Sequence, residues 1–314
     1  MKRYRDFNSY LKEIFGERVQ KIPLDAGLTC PNRDGTLSRG GCLYCDGRGS
    51  GTGALIHQGL SIHEQMTRGS EFAAKRYGAK KFIAYFQSFS NTYAPLDTLK
   101  DLYDRALIHP GVVGLSVGTR PDCVQPEILS LLGSYQKRFL VWLELGLQSS
   151  HDATLLRINR GHDAACFDRA AAMADAYDLN VCAHVILGLP GETRTMMIET
   201  ARHLSSVPVK GLKVHALYVV QGTALEAMCE KGLYQCLTRE DYVELVVDFL
   251  ERIPPHVVIQ RLTGDPPELE LHAPQWVKDK GMNLQCIRKR LEERDTWQGK
   301  EYRTFMGGHG GSAS

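Results

Sequence analysis

No run of eighteen apolar residues occurs in this chain, so no segment is expected to cross a membrane as a helix. A charged–apolar–small leader is also missing at its start, and export is not expected. Neither sign of charge dominates: 38 Lys and Arg against 36 Asp and Glu leave +2, which demands no nucleic-acid partner. Basic residues gather in the segment Arg288, Lys289, Arg290 and Arg294, but Glu292, Glu293 and Asp295 interleave with them, as on a solvated helix face. Six cysteines, Cys123, Cys166, Cys182, Cys229, Cys236 and Cys286, show no short pairing pattern. They are expected as small, mostly buried hydrophobes rather than disulfides, a usage that suits a reducing cytoplasm.

Three further cysteines are different. Cys30, Cys42 and Cys45 are separated by eleven and then two residues, in a loop dense with Gly, Pro, Asn and Asp. Such a loop has little apolar content with which to order itself. Thiolates on one short loop can converge on a metal, and the Cys-x-x-Cys pair strengthens that reading. No fourth cysteine is near in sequence. Three thiolates would leave one iron of a cubane cluster without a protein ligand, a place for a reacting molecule. On spacing alone, a redox dithiol at Cys42 and Cys45, or a zinc site completed by a distant residue, stays open.

The remaining chain alternates strand and helix patterns. Strands are predicted over 18–24, 81–87, 112–117, 139–145, 181–187 and 212–220. Ser61 and Glu64 form a capping box opening a helix that runs to about Tyr77. Further helices follow each strand, the last opened by Thr238 with Asp241. The alternation predicts an α/β fold: a parallel sheet with right-handed crossovers, six units forming a partial (β/α)6 barrel of the TIM type. The segments at the strands' carboxyl ends are polar or Gly-rich: 88–92, 118–122, 146–149, 188–193 and 221–223. In such barrels the reactive loops lie at those ends, which implies one site. Residues 1–254 read as the core with its N-terminal extension. Residues 255–306, with one more strand at 256–262 and a helix over 283–294, read as an α+β extension packed on the barrel. Residues 307–314 read as a flexible Gly-rich tail, and the four glycines of 47–53 as backbone able to approach a bound group.

With the loop and strand ends placed, the chain resembles the radical S-adenosylmethionine proteins, specifically their bacterial YhcC-like family. Most members of the superfamily have three residues between the first two cysteines. The eleven found here are similar to the Elongator catalytic subunit and its relatives, and Cys42-Leu43-Tyr44-Cys45 retains an aromatic residue before the last cysteine. The resemblance runs from about Tyr4 to Gly299. It implies Cys30, Cys42 and Cys45 as ligands of a [4Fe-4S] cluster, with S-adenosylmethionine chelating the open iron. Ser88, Ser90 and Asn91 occupy the place where relatives hold the methionine amino group. Gln148, twelve residues before Arg160, repeats a pairing seen in the oxygen-independent coproporphyrinogen oxidases, where the arginine binds the methionyl carboxylate. Glu144 is a further candidate for cofactor contacts, as is Arg120. His184 stands where that oxidase has a ribose-binding aspartate, and Gly188-Leu189-Pro190-Gly191 matches a segment near the adenosyl group.

Each residue has a plainer reading. Arg120 could pair with Asp122 in a turn; Glu144 could sit in an internal salt bridge; Gln148 could cap a segment; Arg160 could be on the surface; His184 could be a hydrogen-bonded core residue. Lys213 and His215 could face the lumen or a crossover helix, and His57 and His63 have no partner pattern. The resemblance implies an enzyme that cleaves S-adenosylmethionine to a 5′-deoxyadenosyl radical, fed by an external one-electron donor of flavodoxin or ferredoxin type. Its substrate is left between an RNA (tRNA) base and a small metabolite. A zinc-stabilised nucleic-acid-binding module and a non-catalytic scaffold are the competing classes.

Overall fold

The computed structural model describes residues 2–47, 49, 59–267 and 269–302. Most of the 47–53 glycine stretch, His57 and the 307–314 tail lie outside the described residues. The chain opens with helix α1 (Phe7–Phe15), which the sequence reading did not anticipate. Its Asp6 N-cap accepts from the Ser9 amide, and Gly16 closes it at φ 75°.

Seven strands then build one sheet: β1 (Val19–Leu24), β2 (Lys81–Phe86), β3 (Val112–Thr119), β4 (Leu140–Gln148), β5 (Asn180–Leu187), β6 (Gly211–Ala216) and, after a two-residue β7 (Val219–Val220), β8 (Val258–Arg261). They pair in parallel in the order β1-β2-β3-β4-β5-β6-β8. The sheet curls into a half-barrel, and the strand expected near 256–262 is its seventh member. Helices α2 (Ile62–Tyr77), α3 (Leu96–Leu107), α4 (Pro126–Tyr135), α5 (Asp152–Arg157), α6 (Ala164–Ala176) and α7 (Arg194–Leu204) fill the crossovers between successive strands. The Ser61/Glu64 capping box is formed as read.

Two expectations change. The run over 212–220 is not one strand: it breaks at Leu217-Tyr218, and β7 pairs antiparallel with β9 (Leu271–Ala273) in a separate two-stranded sheet. The apolar run continues because Leu217 and Val219 pack into the core, so composition alone hid the break. β4 also runs longer than expected, taking in Gly146, Leu147 and Gln148 rather than leaving them in a loop. After α8 (Ala224–Glu230) and α9 (Arg239–Arg252), α10 (Lys280–Glu293) lies on α9, where the Arg294 guanidinium donates to Glu251, Asp248 and Glu244 at 2.8–3.3 Å. The interleaved charges of the basic segment are thus partly spent inside the protein.

The outer face of the sheet and the crossover helices share the large apolar core. The inner face is layered. At its lower end, α1 plugs the lumen: Phe7 and Tyr10 each meet the Trp142 ring edge-on at 5.9 Å, above Cys182 and Val258. This apolar plug closes one mouth of the half-barrel to water. Chemistry is left to the other end. Among the described residues no helix is long and apolar enough to cross a membrane.

Candidate active site in the half-barrel lumen

The lumen above the plug holds a cavity of about 200 Å³. Cys30, Cys42 and Cys45 form part of its wall together with Ser90, Arg120, Glu144, Gln148, Arg160 and His184. The cysteine loop follows β1 and is tied down from outside itself. Asn159 donates to the Gly41 carbonyl at 2.8 Å, the Leu43 amide donates to Ile158, and the Ser90 amide donates to Thr29. Donors aim at the sulfurs: Arg33 Nη1 lies 3.3 Å from Cys45 Sγ, Arg160 Nη1 3.8 Å and Asn32 Nδ2 3.7 Å from Cys42 Sγ.

The three sulfurs do not close on a single ion. Tetrahedral zinc would need them roughly 4 Å apart. Among the described residues the only trio of His, Cys, Asp or Glu ligand atoms within 4.8 Å is Glu144, Cys182 and His184. That trio is not a metal nest either, because Glu144 is already held by two lysines and burial pushes the Cys182 thiol up to about 12.

Several polar groups in and beside this wall lack partners. Arg120 makes a bidentate pair with Asp122, Nε to Oδ1 at 2.8 Å and Nη2 to Oδ2 at 2.7 Å, yet its buried Nη1 has no partner. The Arg160 side chain is buried, not on the surface; Nη2 donates to Gly146 O at 2.8 Å and Nε is unpaired. The hydroxyls of Ser88 and Ser90 are also buried without partners. Buried polar groups are nearly always satisfied, so this concentration marks a place built for a polar ligand. The donor set fits the groups implied by the resemblance: three thiols for iron, and a free arginine edge with hydroxyls for an amino acid moiety.

Two predicted residues also tie the wall together. Asn91 turns its amide nitrogen into the wall and donates to Ser88 O and Gly118 O, both at 2.9 Å, while its buried Oδ1 has no partner. Gly188 sits behind the lumen at φ 90°, its carbonyl accepting from Tyr234 Oη and its α-carbon facing Leu237. Gln148 does face the cavity, from a backbone at φ 73° next to a bulge that skips Leu147 between Gly146 and Gln148. A Cβ on Gly146 would fall 2.5 Å from Arg160 Nη2 and 2.6 Å from Gln148 Nε2. Gly146→Ala is therefore expected to expel the Arg160 fork and, where Arg160 meets the methionyl carboxylate as the resemblance implies, to weaken S-adenosylmethionine binding at least about tenfold, the loss of one charge-assisted contact. Equilibrium dialysis with the labelled cofactor measures it; unchanged affinity would separate Arg160 from that task.

Below these groups lies a polar layer that the sequence reading caught only through Glu144, His184, Lys213 and His215. Glu144 is fully buried. Its Oε1 accepts from Lys21 Nζ and Ser116 Oγ, both at 2.5 Å, and its Oε2 from His184 Nε2 at 2.7 Å and from Lys213 Nζ. Lys21 also donates to Gln260 Oε1 at 2.8 Å, and Lys213 to Tyr85 Oη at 3.0 Å. Burial would raise the Glu144 pKa, but Lys21 and Lys213 overcome it, with His184 helping, and hold the carboxyl well below its ordinary range. Burial, with the like charge of Lys213, lowers His184 to about 4, so its neutral ring spends the Nε2 proton on Glu144. Lys213 falls to about 7 because burial, Lys21 and Arg261 outweigh Glu144. Lys21, Ser116 and Gln260 were missed because each is one polar residue in a short strand; their only signal is the alternation that puts them on the inner face.

Residues 32–204 match the model of the Radical SAM superfamily, and residues 209–293 that of the Radical_SAM C-terminal domain. Bacillus subtilis YtqA is 41% identical over 305 residues, 95% of this chain and 92% of that protein. YhcC of Escherichia coli K12 is 37% identical over 288 residues, 91% and 92% of the two chains. The tRNA uridine(34) acetyltransferase of Dehalococcoides mccartyi is 31% identical over 165 residues, 51% of this chain but 35% of that one. Among solved structures, the archaeal Methanocaldococcus infernus Elp3 superposes with a TM-score of 0.70 at 17% identity, over 89% of this chain and 64% of that one. A cysteine-bearing wall at the open end of a parallel half-barrel and full-length likeness to YtqA and YhcC lead to one conclusion: the chain is an enzyme of the radical SAM superfamily, in its YhcC-like branch.

Proposed function

We propose that Cys30, Cys42 and Cys45 hold a [4Fe-4S] cluster, and that the adjoining cavity binds S-adenosylmethionine. When bound and reduced, these groups supply a 5′-deoxyadenosyl radical, which removes a hydrogen atom from a substrate C–H bond. The observation that carries the reading is the single wall shared by the three cysteines and the partly unpaired Arg160. Arg33, Asn32 and Arg160 offset the negative charge gathered on the sulfurs. Arg160 offers a free Nε edge to the methionyl carboxylate, and the unpartnered hydroxyl of Ser90 on the cavity wall, with that of Ser88 behind it, supports this end of the cavity as the place of the amino group. Gln148 lies against Arg160 and keeps its fork in plane. Glu144 and His184 take the role of a floor: they fix Lys213 and keep the lumen dry from below, with α1 beneath them. Arg120, tied to Asp122, positions the wall beside Cys30. An external one-electron donor of flavodoxin or ferredoxin type supplies the reducing electron, and a reducing cytoplasm suits the free thiols.

An RNA base is the substrate suggested by the likeness to the tRNA uridine(34) acetyltransferase; that likeness covers half of this chain. Anaerobic reconstitution with iron and sulfide, then reduction with S-adenosylmethionine, tests the core of the reading. 5′-Deoxyadenosine is expected, and a colourless zinc-bound protein would overturn it. Arg160→Lys keeps the charge and loses the planar fork, so cofactor affinity is expected to fall about tenfold or more in dialysis while cluster content holds.

A further inference from the structure

Unmatched positive charge gathers at the closed end of the half-barrel, away from the lumen. Arg18 stands immediately before β1, Lys80 immediately before β2, and Lys137 and Arg138 just before β4. Parallel pairing brings these strand starts to one edge, with Val19 beside Lys81. Helix α2 runs back to the same edge and adds Lys75 and Arg76 in its last turn. All six are exposed, and none makes an ion pair among the described residues. Two acids of this edge are already engaged: Glu17 pairs with Lys81 at 3.1 Å and Asp178 with Lys210 at 3.2 Å. Glu71 on α2 is exposed and pairs with none of the six. The chain's near-balanced charge of +2 therefore hides a face of one sign. Neighbouring strands lie about 4.8 Å apart, so Arg18, Lys80 and Arg138 form a row along the sheet edge.

Aromatic rings interleave with these cations. The Arg18 guanidinium lies 4.6 Å and that of Arg76 5.8 Å from the centre of the Tyr77 ring. Phe72 meets Tyr77 edge-on at 6.3 Å, and Arg138 lies 5.3 Å over Phe139. Phe72 is 62% exposed and Tyr77 40%. A row of cations beside bare rings suits a polyanion that also carries flat, stackable groups. Nucleobases stack on aromatic rings and guanidinium planes, while their phosphates take Lys and Arg.

We propose that Arg18, Lys80, Phe72 and Tyr77 form a docking face for a single-stranded segment of RNA. The rings take its bases and the cations its phosphates. This face goes beyond the reading of the lumen: it holds a large RNA at a distance and takes no part in the chemistry. An acidic electron donor does not fit there. The cysteine loop follows the other end of β1, roughly 20 Å away along its six residues, and an electron must be delivered near that loop. A lipid surface needs apolar rings free to insert, whereas Tyr77 carries two guanidiniums over its ring.

The test is fluorescence anisotropy of a labelled single-stranded RNA of about ten nucleotides, titrated with the reconstituted full chain over a range of salt. Wild type is compared with Phe72→Ala and with the double variant Arg18→Gln, Lys80→Gln. These positions are exposed, and an unchanged urea midpoint verifies that each variant folds. The double variant should bind at least about tenfold more weakly, and its salt slope should shrink by about 1.4, the loss of two phosphate contacts. Phe72→Ala should weaken binding at least about fivefold with the salt slope unchanged, the loss of one stacked base. Wild-type affinity in either variant would overturn the face. So would capture of phosphatidylserine vesicles, dependent on Phe72, by a chain that does not bind the RNA. 5′-Deoxyadenosine is assayed on the same preparations. Its formation with RNA affinity untouched by these substitutions removes the face only. Face-dependent RNA binding in a chain that forms no 5′-deoxyadenosine removes the radical reading and leaves the face standing.

Discussion

Cys42→Ala is expected to fold, yet to hold no [4Fe-4S] cluster and to yield no 5′-deoxyadenosine from S-adenosylmethionine. Cys42 is the buried member of the three, with Arg160 and Asn32 aimed at its sulfur from two directions. Removing that sulfur takes away a ligand and leaves both donors facing an apolar methyl group. Cys45→Ala should fail in the same way, through loss of the sulfur that Arg33 addresses. Cys30→Ala removes the third. The folding cost should stay small, since each change deletes one atom from a polar loop wall rather than from the apolar core. Iron and sulfide content, visible absorption and product formation are read together, with Cys286→Ala on α10 as the control that retains all three. A Cys42→Ala chain with full iron, full sulfide and wild-type product would exclude Cys42 as a ligand.

The second large effect is on stability. Glu144→Ala strands Lys21 and Lys213 inside the barrel without their carboxylate, and removing one partner of a buried ion pair costs about 3–5 kcal/mol. The urea midpoint should fall accordingly. Adding Lys213→Met to Glu144→Ala should recover part of the loss, because it removes the more deeply buried cation. If the single variant is as stable as wild type, the layer is not holding the strands together.

The same layer sets the acid limb of stability. The Glu144 pKa is depressed in the folded chain, so its contribution is complete above about 4.5 and is lost as pH falls through the lower folded value. His184 titrates at about 4 when folded against 6.5 when free. The unfolded chain therefore takes up a proton first, and stability declines as pH falls from 6.5 to 4. Lys213 works at the other end: folded at about 7 against 10.5, it lets stability rise as pH increases between those values. Chemical denaturation across pH 3–9 measures all three limbs, and the part due to Glu144 should vanish in Glu144→Ala.

The three thiols were legible in the chain itself, although spacing alone left a redox dithiol and a zinc site open and the chemistry class came from the resemblance. Cysteine spacing is local, and thiols on a loop without apolar content have few structural uses, so Cys30, Cys42 and Cys45 could be picked out unaided. Strand and helix alternation is also local, as is the Ser61/Glu64 box, and these gave the half-barrel. What each strand-end residue does was decided elsewhere. Asn91 and Gly188 stand at the expected strand ends, yet the turn of the backbone sends one into the wall and the other behind it. Glu144 could be read as needing a buried partner, but that it has four came only from the pairing of β1, β3, β5 and β6 around it. Arg261 faces the lumen because Gln260 is skipped in the register of β6 and β8. Register is a long-range property: a one-residue slip reverses which face a side chain takes, and no local pattern records it. Sequence determined the thiols and the order of the strands; tertiary pairing decided which charges meet inside them.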